Sequence, residues 1–64
     1  MLKKYDFVLA KRDLSQSVKR GTRGAIMLIL HKEPNKYEVE FVDDKGYTLE
    51  LLTVDEVDLY LVKE

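Results

Sequence analysis

A chain of 64 residues forms one domain around one small core, because folding at this length withdraws only about 60% of the unfolded chain's surface from water. The absence of cysteine and the single histidine, His31, exclude a disulfide framework and a zinc site, and the longest apolar run, Ala25 to Leu30, is far shorter than the roughly 20 residues a membrane-spanning helix needs. A formal net charge of -1 draws the whole chain neither to nucleic acid nor to an anionic membrane, so self-association or a partner is the expected supplement to so small a core.

Tyr5 to Ala10 reads as a first strand with Tyr5, Phe7 and Leu9 inward. Residues 12 to 20 are polar apart from Leu14 and Val18, and with Gly21 and Gly24 closing them they predict a long ordered loop. Ala25 to Leu30 has no polar face, which predicts a strand covered on both sides. Lys32 to Lys36 is turn chemistry around Pro34 and Asn35.

Tyr37-Glu38-Val39-Glu40-Phe41 alternates aromatic or β-branched residues with carboxylates, the signature of a half-buried strand. Asp43-Asp44-Lys45-Gly46 then predicts a hairpin turn with a left-handed Gly46, and Tyr47, Leu49 and Leu51 are expected on the returning strand's inner side, in one core with Val39 and Phe41. Thr53-Val54-Asp55-Glu56 has the form of a capping box and predicts one helical turn. Leu59 to Val62 reads as a last strand that pairs with the first. A helix from Leu49 onward is the rival for this region, opposed by its β-branched content.

Five short strands, a long first loop and a helical turn before the last strand make an all-β, SH3-like barrel spanning residues 1 to 64 as a single domain. The charged start, Met1 to Asp6, lacks the apolar stretch of a secretory signal, so the cytoplasm is the expected location.

The chain also resembles the small bacterial proteins of domain of unknown function family 4926 nearly end to end. The resemblance rests on Tyr5-Asp6-Phe7-Val8, Asp13-Leu14, Lys19-Arg20-Gly21-Thr22-Arg23-Gly24, and Tyr37-Glu38-Val39-Glu40-Phe41 followed by Asp43-Asp44-Lys45-Gly46. It implies the same SH3-like barrel, no established activity, and an antitoxin-like role as partner of a neighbouring protein.

Function in this sequence is a matter of surfaces. Residues 1 to 23 carry seven Lys and Arg against two Asp, a charge of +5, whereas residues 24 to 64 carry four Lys against ten carboxylates, a charge of -6. The two halves either pack together and screen each other or leave a dipolar surface. The candidate partner-binding residues are Lys11, Arg12, Lys19, Arg20 and Arg23. Gly21-x-x-Gly24 beside them could offer free amides to phosphate, or simply let a turn enter a buried strand. No aromatic residue lies between residues 11 and 24 to stack a base, which weakens a nucleic-acid reading.

Tyr5-Asp6-Phe7 has the aromatic-acidic look of a polyproline groove, yet the chain has no tryptophan to complete one, and the residues fit a core strand better. Asp43 and Asp44 lack the alternating spacing of a calcium loop and fit a turn. Ser15 and Ser17 have no histidine partner in the pattern, so neither enzyme chemistry nor a cofactor is expected. The expected function is a protein-protein interaction module that binds through apolar surface around the Ala25 to Leu30 strand, with a nucleic-acid-associated barrel that uses loop 11 to 24 as the alternative.

Overall fold

The computed structural model describes residues 2–30 and 35–63. Its elements are β1 (Phe7–Ala10), β2 (Arg23–Leu30), β3 (Lys36–Val42), β4 (Thr48–Asp55), a single 3-10 turn (Glu56–Asp58) and β5 (Leu59–Leu61). The strands form one antiparallel sheet in the order β4-β3-β2-β1-β5, with β4 and β5 at its edges. The fold is therefore all-β, with the long first loop and the turn before the last strand where the sequence predicts them. His31 and the Lys32 to Pro34 part of the expected turn lie outside the described residues.

The β3–β4 hairpin forms for the reasons visible in its sequence. Tyr37, Val39 and Phe41 are buried on one face of β3. The Asp43 carboxylate accepts the amides of Lys45 and Tyr47, each at 2.9 Å, and Gly46 takes φ +88°, which a side chain would oppose.

Two strands present the face opposite to the one expected. In β1, Val8 and Ala10 are buried whereas Phe7 and Leu9 face outward, and Tyr5 precedes the strand in a turn at φ +72°. All four strand residues are apolar, so alternation alone cannot choose the side. The inner positions adjoin a cluster that already holds Val18, Phe41 and Leu59, where small side chains fit.

In β4, Glu50, Leu52 and Val54 stand opposite Phe41, Val39 and Tyr37, which puts Leu49 and Leu51 outside the core. Phe41 pairs with Glu50 while Val42 pairs with Thr48, so Leu49 is an extra, bulged residue. The inner place expected for a leucine is held by Glu50, whose carboxylate accepts the hydroxyls of Ser15 at 2.6 Å and Ser17 at 2.7 Å.

The strand Ala25–Leu30 is likewise not covered on both sides. Gly24 and Ile26 are buried, a second register shift follows at Met27, and Met27 and Leu28 are exposed. The capping box also does not form. Thr53 donates its hydroxyl to Glu38, and Asp55 occupies the N-cap without a side-chain bond, its carboxylate paired with Lys36.

The loop from Lys11 to Thr22 covers the inner face, with Val18 buried and Leu14 packed against the core. The protein is thin, 31 × 25 × 16 Å, and the opposite face of the sheet carries no second layer among the described residues.

Candidate functional site: the outer face of the sheet and its basic border

Strand register lays out the outer face in rows. Tyr60, Leu9, Arg23 and Val42 follow one another across β5, β1, β2 and β3. The next row is Phe7, Ala25, Glu40 and Leu51, and beyond it come Leu28, Glu38 and Thr53. Phe7 is 48% exposed and Leu51 56%, and Leu28, Leu49 and Tyr60 are exposed as well. Two carboxylates lie within this apolar field, Glu40 accepting the hydroxyl of Thr48 and Glu38 that of Thr53. Sequence reading expects an apolar docking surface only around the Ala25 to Leu30 strand, because it assigns Phe7, Leu49 and Leu51 to the core.

The five basic residues border one end of this face. Lys11 stands over the ring of Tyr60, its ammonium 4.8 Å from the centroid. Arg12 forms a two-point pair with Asp58, at 2.9 and 3.2 Å, and that hydrogen bond and charge raise its already high pKa further. Lys19 is exposed at the end of the loop. Arg20 and Arg23 line an open groove whose other wall is the hairpin turn, with Asp43, Asp44, Lys45 and Tyr47. Acids thus interleave with the cations: Asp58 beside Arg12, Asp13 on the amide of Arg20, and Asp43 and Asp44 across the groove.

The segment Lys19 to Thr22, which enters β2, does not offer free amides to a phosphate. The amide of Lys19 donates to the Thr22 hydroxyl, that of Arg20 to Asp13, that of Gly21 to the Ala10 carbonyl and that of Thr22 to the Lys19 carbonyl. Gly24 lies buried in β2 with Phe41 opposite, so the glycine pair does structural work. The structure nevertheless supplies an aromatic that the loop lacks. Tyr47, 70% exposed, enters the groove from the far side of the hairpin, a juxtaposition that 23 intervening residues hide in the sequence.

Ser15 and Ser17 anchor the loop to β4, and their hydroxyls hold the Glu50 carboxyl below its ordinary pKa. Tyr37, buried beneath the 3-10 turn, donates to Glu56 at 2.8 Å; burial first and this bond second push its phenol up. Among the described residues no group of three or more His, Cys, Asp or Glu is placed to hold a metal ion, and no helix is long and apolar enough to cross a membrane.

Among curated proteins and among solved structures, nothing matches the chain. The family model described as "Domain of unknown function (DUF4926)" matches residues 4–61, nearly the whole length and every strand described above. The chain therefore belongs to the DUF4926 family.

Proposed function

We propose that this protein is a non-enzymatic protein-protein interaction module, in the SH3-like form the family resemblance implies, and that it docks through the outer face of its sheet. The observation that carries this reading is the exposed apolar field of Phe7, Leu28, Leu49, Leu51 and Tyr60 on a sheet with one covered side. Five large apolar side chains exposed on one face of so small a sheet favour a covering partner. The internal use of the loop amides, and the acids set among the loop cations, favour a protein partner over a phosphate backbone. An antitoxin-like or regulatory partnership with a genetically linked protein is the specific form that the resemblance supports.

The test is affinity capture of the tagged protein from its own host, with and without nuclease, beside a Phe7→Glu, Leu51→Lys variant. Capture that survives nuclease and is lost in the variant supports the docking face. Capture that nuclease abolishes, or that the variant retains, rejects it.

A second reading has one observation of its own, the meeting of Arg20, Arg23, Lys45 and Tyr47 in one groove. Cations that track a backbone beside a stacking aromatic suit single-stranded nucleic acid. Binding by that route falls steeply with salt through counterion release and disappears when Lys19, Arg20 and Arg23 are neutralised. Apolar docking survives moderate salt.

A further inference from the structure

The outer face is electrically divided along its strands. The first row carries Arg23, with Lys11, Arg20 and Lys45 at that end of the sheet beside Asp43 and Asp44, whereas the second and third rows carry only carboxylates, Glu40 and Glu38. Among the described residues Arg23, Glu38 and Glu40 take part in no ion pair. Successive rows are about 6.6 Å apart along a strand.

A two-fold axis that runs across the strands between the first and second rows exchanges those rows. It carries Arg23 toward the Glu40 side of a second sheet, Leu9 over Phe7, and the bulged Leu49 toward Leu51. Leu9 then meets Phe7 and Leu49 approaches Leu51, while Arg23 comes over Ala25 with Glu40 of the other sheet on the neighbouring strand. Such a patch is complementary to itself, which is what an isologous contact requires.

Self-pairing through a sheet edge is less suited. β5 offers three residues, and β4 is interrupted by its bulge and flanked by the loop serines on Glu50.

We propose that the outer face is occupied by a second copy of this chain, packed face to face about this axis with Arg23 set against Glu40 of the partner subunit. The proposal rests on the reading of this face as the docking surface and names its occupant.

Sedimentation equilibrium of the full chain tests it. The expected result is a dimer at about micromolar concentration, with Arg23→Glu and Glu40→Arg each weakening self-association by about tenfold or more. An equimolar mixture of the two variants regains the dimer, because one then carries carboxylates and the other cations at both exchanged positions. Circular dichroism establishes that each variant is folded. Should a charge reversal unfold the chain, Arg23→Gln and Glu40→Gln take its place, and each is expected to weaken the dimer and flatten its salt dependence.

A wild type that stays monomeric to about millimolar, or a mixture without recovery, overturns the proposal. A monomer whose host capture is lost in Phe7→Glu overturns the second copy alone and leaves the docking face standing. A monomer whose capture ignores Phe7→Glu overturns both.

Discussion

Replacing Gly24 by alanine probes how tightly the covered side of the sheet is packed. Gly24 sits in β2 between Val8 of β1 and Phe41 of β3, and it points inward. A β-carbon there would lie 2.8 Å from Val39 Cγ1, 2.9 Å from Phe41 Cδ1 and 2.9 Å from the Glu40 carbonyl oxygen. Carbon atoms in ordinary contact sit about 3.5 to 4.0 Å apart, so each neighbour must yield by more than half an ångström. The two side-chain atoms can rotate away, but the carbonyl belongs to a strand paired on both sides.

Overpacking of this kind costs about 1–3 kcal/mol, offset by about 0.4–1 kcal/mol because alanine restricts the unfolded chain. The net expectation is a loss of about 1–2 kcal/mol, a large share of the roughly 3–10 kcal/mol a chain of this length possesses. Denaturant titration measures it. In a double-mutant cycle with Val39→Ala, which removes the contacting Cγ1, the double variant should lose less than the sum of the singles. Gly46→Ala, whose β-carbon meets nothing within 4 Å, should act only through its φ of +88° and add independently. A Gly24→Ala protein as stable as wild type, or strict additivity with Val39→Ala, would refute the packing described for this side.

Phe41→Ala should cost about 3–5 kcal/mol, whereas Leu51→Ala, on the outer face, should cost about 1 kcal/mol or less; equal losses in denaturant titration would return Leu51 to the core. The Glu50 carboxyl has a lower pKa in the folded than in the unfolded chain, so its contribution is complete above the ordinary glutamate value and is lost as pH falls through the lower folded one. Thermal melts through the acid range should therefore show a pH dependence that flattens in Ser15→Ala, Ser17→Ala, and an unchanged profile would detach the loop from β4. Tyr37 has the opposite sign: its folded pKa lies above 10.0, so its contribution is complete below that value and is lost as pH rises through the folded one. Of the four tyrosines, one should ionise late in an ultraviolet titration, and that step should vanish in Tyr37→Phe.

What the sequence made legible is mostly local. Alternation from Tyr37 to Phe41 and the Asp43 to Gly46 turn describe a hairpin whose chemistry lies in adjacent residues, and the structure contains it. The return of Leu59–Leu61 to β1 was also visible as the last apolar run of the chain, and the tucking of Val18 as an apolar residue among polar ones.

Facing was not legible, because a period of two defines two faces without saying which is wet. Where Phe7, Val8, Leu9 and Ala10 are all apolar, only the space left by Val18, Phe41 and Leu59 decides. The extra residues at Met27 and Leu49 break the count along β2 and β4, and a bulge leaves no mark in composition. The inward Glu50 defied expectation because its partners, Ser15 and Ser17, lie more than thirty residues away.

The candidate site divides along the same line. Its cations could be read directly as residue types, but the acids among them and the aromatic beyond them arrive through tertiary structure. Of the apolar face, the part around Ala25 to Leu30 was expected, whereas Phe7, Leu49 and Leu51 were hidden by being taken for core.

The most direct test of the central claim, that this protein works through its outer face, is methyl-resolved NMR of the isotopically labelled chain as it associates with a protein partner, in a concentration series for a second copy and on addition of the protein it captures from its host. Docking through the outer face shifts or broadens the methyl signals of Met27, Leu28, Leu49 and Leu51 while those of Val18, Ile26 and Val39 stay in place. Perturbation confined to the groove of Arg20, Arg23 and Tyr47, with the outer leucines unmoved, would contradict it.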